Sequence, residues 1–167
     1  MRFASLQIVL VAALLSVLAP HAVAQIEHEK SLFSDADAKT LAEFRLDVAK
    51  LDRFETALRE MDLKTQTDAA LKDEMDRDEA KAAGIDRFVE AIEKEKPRMM
   101  AILQAASEPP REFVLTSYSV MMAMVYADLL KAEPEAALPV YVSRENVGFV
   151  KRYEDRLTKL FEALKRD

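Results

Sequence analysis

Three sets of side chains in this 167-residue chain have types that could do chemistry. Glu112 and Asp128, with Tyr118 and Tyr126 between them, are carboxylates and phenols of the kind that move protons. Met99, Met100, Met121 and Met124 are thioethers that could ligate a soft metal or line an adaptable apolar pocket. The acidic run "DEMDRDE", Asp73 to Glu79, offers the oxygen ligands that calcium takes.

Spacing and composition count against most of this. Sixteen positions separate Glu112 from Asp128, about 24 Å along a helix, so the two carboxylates cannot serve one reacting atom. An EF-hand frame begun at Asp76 lacks glycine at its sixth position and places Arg87 where the closing glutamate belongs, so the run reads as a solvated helix face. Cysteine is absent, and the histidines are His21 and His28. A thiol nucleophile, a Ser-His-Asp triad, a His-based zinc site and covalent haem attachment therefore lack their residues. Neither a cofactor nor a metal is expected, and the chain is read as a non-enzyme. The ligand-binding set that survives is Met99, Met100, Met121, Met124, Tyr118, Tyr126 and Asp128, placed where the helix led by Pro97 meets an apolar helix after Pro110.

The elements that must position these residues are helical. Only Gly84 and Gly148 are glycines, and Ala-, Leu-, Glu-, Lys- and Met-rich stretches run between the six prolines, a composition that favours helix over strand. Residues 1–24 begin with Arg2, continue through an apolar run from Leu6 to Leu18, and end on Ala22-Val23-Ala24. That is the pattern of a signal peptide cleaved before Gln25, and the apolar run is shorter than the roughly 17 to 25 residues of a span. An exported mature protein, periplasmic or secreted, with no transmembrane segment after cleavage is expected. Cleavage removes Arg2 and no acid, so the net charge moves from −6 to −7. An acidic chain of this kind lacks the basic stripe that nucleic-acid binding needs.

Beyond a leader at 25–33, a single domain spans 34–167. Leu41, Phe44, Val48, Leu51, Phe54, Leu58 and Met61 recur at spacings of three and four, the mark of an amphipathic helix or two. Ser34 or Asp35 can cap a first helical segment, Asp47 can cap or continue into the next, a short helix starts from Asp68, Ser143 is a good N-cap for the last helix, and Pro97 suits a first helical position. Val147, Val150, Tyr153, Leu157, Leu160, Phe161 and Leu164 form the stripe of a last helix over 144–165. "LPVYVS" after Ala137 reads as an extended connection.

Between these lies "PPREFVLTSYSVMMAMVYADLL", Pro109 to Leu130, whose charges are Arg111, Glu112 and Asp128. A wheel over Phe113 to Leu130 has no polar face, so the segment belongs in a core or in lipid. Thr116, Ser117, Ser119 and Asp128 penalise lipid, and the flanking amphipathic helices supply faces to cover it. Ser119, Ala123 and Ala127 would let a neighbour approach closely. Asp128, near a helix C-terminus, should be exposed or paired with a cation such as Lys131.

On "PPREFVLTSYSVMMAMVYADLL" and "VSRENVGFVKRYEDRL" the chain resembles a group of exported bacterial all-helical proteins of uncharacterised activity. In that group a Pro-Arg-Glu-aromatic-Val start opens an apolar helix and Asn-Val-x-Phe-Val opens the last one. The group's turn before Arg-Glu is Gly-Leu-Thr-Pro, in which Thr caps and Glu closes a capping box. Here Ser107, Glu108, Pro109 and Pro110 stand in those places, so Glu112 has no hydroxyl partner. The resemblance implies the fold and an export route and carries no activity.

The expectation is an all-α bundle of about four to six helices around one apolar central helix, 109–131. Its function would be non-enzymatic, through protein-protein interaction at the cell envelope, with the acidic surface around Asp73 to Glu79 as the candidate contact. The alternative is a carrier or scavenger of a small apolar ligand in a Met-rich helical pocket.

Overall fold

The structure, a computed structural model, describes residues 33–77 and 84–164. Residues 1–24, expected as a signal peptide, all of the expected leader before Phe33, the Asp78–Glu79 end of the acidic run and the terminal cations Lys165 and Arg166 lie outside the described residues. Eight α-helices follow one another: α1 (Asp35–Glu43), α2 (Val48–Thr65), α3 (Ala69–Asp76), α4 (Ile85–Glu95), α5 (Pro97–Ala105), α6 (Pro110–Ala132), α7 (Arg144–Arg152) and α8 (Glu154–Ala163). No strand occurs among the described residues, and 138–143 is a turn-containing connection. The helices form a bundle around α6.

Local chemistry sets most of the helix starts. The Ser34 hydroxyl accepts from the Asp37 amide at 3.1 Å, and the Asp47 carboxylate from the Lys50 amide at 2.8 Å. Asp68 accepts from Ala70 and Leu71 at 3.0 and 3.1 Å, and Ser143 from Glu145 at 3.2 Å. Each side chain thus pairs amides that the helix itself leaves open. Pro97 opens α5, where its missing N–H costs nothing. Gly84 leads into α4 at φ +104°, a backbone conformation that favours glycine, and a Cβ there would push only the tip of the Asp37 side chain, 2.9 Å away.

Two helix breaks interrupt the pattern, the first of them held by a tertiary contact. The break near Leu46 is real: α1 ends at Glu43, and Phe44 has an extended backbone. The amide of Asn146, at the start of α7, holds this break from the other side of the chain. Its Oδ1 accepts from Leu46 N at 2.9 Å, and its Nδ2 donates to Phe44 O at 2.9 Å. The last helix, expected as one piece over 144–165, is broken at Tyr153, whose N–H is shared between Phe149 O and Val150 O at 3.2 and 3.1 Å. Its ring lies 4.6 Å from that of Phe149. With this break and the separation of α1 from α2, the helix count exceeds the four to six expected.

α6 packs mainly against α7, α4 and α2. Its length and mean hydropathy would suffice to cross a membrane, yet 56% of its most apolar 18-residue window is buried inside the protein. Val114 and Val120 are fully buried, as are Leu51 and Ala57 of α2 and Ile85, Ala91 and Ile92 of α4. Phe54 and Phe113 meet at 5.5 Å between ring centroids. Ser119, Ala123 and Ala127 are all buried, as their spacing requires of a close helix contact. Arg156 ties α8 to α2 through Glu55 and Asp52, both at 2.7 Å.

Asn146→Ala should cost about 2 to 3 kcal/mol, because it deletes two buried hydrogen bonds and strands the Leu46 amide. Urea unfolding of the variant measures this. A midpoint equal to the wild type would show that the α1–α2 break is held by something else.

Candidate functional site

The residues nominated by sequence separate onto different faces. On α6, Phe113, Thr116, Ser119, Val120, Ala123, Tyr126, Ala127 and Leu130 lie in one sector and are buried. The partly buried positions are Ser117, Tyr118, Met121, Met124, Val125 and Leu129, with Asp128 exposed among them and Val114 fully buried between Met121 and Val125 on the wheel. Met121, Met124, Tyr118 and Asp128 therefore share one outward face. Tyr126, five residues from Met121 and so about 140° around the helix, belongs to the buried side. Met99 sits on α5 with 5% exposure, inside the packing of that helix, and Met100 is half-buried.

Aromatic and charged neighbours frame the outward face. Phe33 packs edge-on against Tyr118 at 5.3 Å and against Tyr141 at 5.2 Å. Burial, with a smaller contribution from the charge of Asp37, holds the Tyr118 phenol above its ordinary value. Asp128 binds Lys131 at 3.0 Å, and Lys131 reaches Glu154 of α8 at 2.6 Å. This is the exposed, cation-paired state expected for Asp128 near a helix C-terminus.

The acidic run is not simply a solvated helix face. Glu74 is 3% exposed, and its Oε2 accepts from the Arg98 and Met99 amides at 3.0 and 3.1 Å. It is the cap that α5 lacks locally, supplied by α3. Lys96, 2% exposed, returns the favour: its ammonium donates to the Glu74 carbonyl and, at 3.0 Å, to the Arg77 carbonyl. A cation thus meets the carbonyl end of α3, and an anion meets the amide end of α5. Beside this exchange lies an open pocket of about 600 Å³ lined by Ala70, Asp73, Glu74, Asp76, Arg77 and Arg98. Its walls are charged and hold no methionine.

The turn between α5 and α6 places a second buried acid. Glu108 N donates to Leu103 O at 2.9 Å and Ser107 N to Gln104 O at 3.0 Å, the paired bonds of a Schellman ending. Ser107 occupies the left-handed position at φ 54°, where glycine is usual. The Glu108 side chain has no exposed surface. Its Oε2 accepts from Arg53 Nε of α2 at 3.0 Å, while Oε1 has no partner. Arg53 also donates to Glu112, which gives Glu112 the partner that the hydroxyl-free turn denies it. Burial pushes Glu108 up to about 7, Arg53 opposes that rise, and the Glu112 charge adds to it. A carboxyl titrating there has the proton affinity of a general acid or base, but a side chain closed to solvent cannot reach a substrate. What it can do is exchange a proton with water.

Sequence patterns did not nominate Arg53, Lys96, Glu108 or Asn146, and gave Glu74 only as a member of the acidic run. The available signal for Glu108 was its place in the turn, where the resembling group has leucine. Among the described residues, no group of three or more His, Cys, Asp or Glu is arranged to hold a metal.

Glu74→Ala should lower stability by about 2 kcal/mol, the upper range for loss of a helix cap, since it opens two α5 amides at once. Ser107→Gly should raise it by roughly 0.5 kcal/mol, the relief of a left-handed side-chain residue less the entropy glycine loses on folding. Urea midpoints of both variants test these signs. Comparison of the chain with protein-family models, curated proteins and solved structures gives no match.

Proposed function

We propose that this chain is a non-enzymatic exported protein that acts at the cell envelope by binding a partner protein, with the outward face of α6 as its contact surface. The observation that carries this is the less covered sector of the most apolar helix, where Tyr118, Met121, Met124, Val125 and Leu129 pack against the core yet remain only partly buried. Contiguous apolar surface of this kind on a water-facing domain marks interaction sites. Methionines suit a surface that must adapt to a partner, and tyrosine supplies apolar area with a polar tip. The partner chemistry that fits is an amphipathic helix laying its apolar stripe along α6, with a cation able to face Asp128.

The small-ligand carrier draws less support. It needs Met99 and Met100 to share one cavity with Met121 and Met124, whereas Met99 is packed within α5 and Met121 and Met124 lie on the outward side of α6. The charged walls of the open pocket beside Glu74 and Arg98 do not favour an apolar guest. Export rests on the 1–24 pattern and on the resemblance to exported helical proteins.

A photo-crosslinking residue in place of Met121 should give a discrete adduct in the envelope fraction of the native host. The same residue in place of the exposed Lys159 should give none, and Val125→Glu should abolish the Met121 adduct. Absence of the Met121 adduct would remove the contact surface. An intact mass starting at Gln25 is expected; a mass starting at Met1 would overturn export with cleavage, and a retained small molecule would favour the carrier.

A further inference from the structure

The turn that joins α5 to α6 buries an acid with too few partners for its charge. Glu108 Oε2 shares the Arg53 guanidinium with Glu112, and Oε1 is buried with no hydrogen bond. One cation therefore answers two carboxylates, of which one is wholly out of water. The charged groups that bear on Glu108 are Arg53 and Lys50 from α2 and Glu112 from α6. Residues 99–107, which lead into it, contain no ionisable side chain.

An unpaired carboxylate oxygen in this setting is far costlier than a neutral carboxyl. The like charge on Glu112 acts in the same direction. Neutralising Glu108 would leave Arg53 to Glu112, relieve the desolvated charge and leave the Schellman bonds of the turn untouched.

We propose that Arg53, Glu108 and Glu112 form a proton-operated switch, in which a proton taken up by Glu108 removes a buried charge beside the α5–α6 turn, leaves Arg53 to Glu112 and makes the fold firmer in mildly acidic solution than at neutrality. The folded-state value of Glu108, about 7, lies above its ordinary 4.5. Its contribution is thus fully present below about pH 4.5 and is lost as the pH rises through 7. Asp47, held low chiefly by its hydrogen bond with Lys50, and Asp68, held low chiefly by the Leu71 amide, work the other way. Their contributions are lost only as the pH falls through their lowered values, beneath this window. Between the two limits Glu108 sets the slope.

The test is urea unfolding of the full mature chain at about pH 7.5 and about pH 5.5. The wild-type folding constant should rise roughly tenfold on acidification, and Glu108→Gln should flatten that rise while remaining folded. A wild-type constant that is level or falling, or a Glu108→Gln variant with the same rise, would overturn the switch. Should Glu108→Gln not fold, carbon-13 NMR of the wild-type glutamate carboxyls decides the matter. One carboxyl titrating near neutrality supports the switch, and titration of every glutamate below about pH 5.5 overturns it.

Discussion

Everything in this fold answers to the need to cover a helix that has no polar face. α6 presents apolar side chains around its whole circumference, and its amides and carbonyls are already satisfied internally. The free energy available from it lies in removing its side chains from water, about 25 cal/mol per Å². α7, α4 and α2 do this on one side, each by a stripe of its own: Val147 and Val150, Phe88 and Ile92, Leu51 and Phe54. Their amphipathic pattern and the all-round apolarity of α6 are two halves of one requirement. Ser119, Ala123 and Ala127 let the cover come close.

Covering a central helix with short pieces creates many helix ends, and ends carry unpaired backbone groups. Those near the surface are met by adjacent hydroxyls and carboxylates. Those inside are met from far along the chain: Asn146 reaches back to Phe44 and Leu46, and Glu74 and Lys96 exchange cap for cap between α3 and α5. Each is a buried polar group satisfied by backbone rather than by water, which makes it a device that specifies one arrangement of the short helices. Glu108 belongs to the same class but is only half satisfied, and for that reason its protonation state bears on stability.

How much of this could be read in advance follows from the range of the interactions involved. The caps Ser34, Asp47, Asp68 and Ser143 were legible because their partners lie two or three residues on. The helical class, the central place of α6, Pro97 at a helix start and the pairing of Asp128 with Lys131 were legible for the same reason. Glu74 looked like one more member of a solvated acidic run, since nothing within its own helix shows that α5 will bring two free amides to it. The break at Tyr153 interrupts a stripe whose periodicity continues straight through it. The seven candidate ligand-binding residues share apolar surroundings in sequence, but a wheel cannot say which sector of α6 its neighbours will leave open. Met121 and Tyr126 therefore part company only in three dimensions.

The sector left open tells apart the two kinds of apolar neighbour that could cover it. Lipid would demand a face free of charge, and a carboxylate at membrane depth costs about 2.5 to 3.5 kcal/mol on insertion scales. Asp128 stands within this sector, bound to Lys131, which in turn binds Glu154 across to α8. A protein neighbour tolerates such a network at its edge, because interfaces combine an apolar centre with a polar, wetted rim. Met121, Met124 and Val125 would supply the centre, and Asp128 with Lys131 the rim. On the proposed contact surface, the carboxylate that stands out in an apolar helix lies at the polar edge of a protein interface.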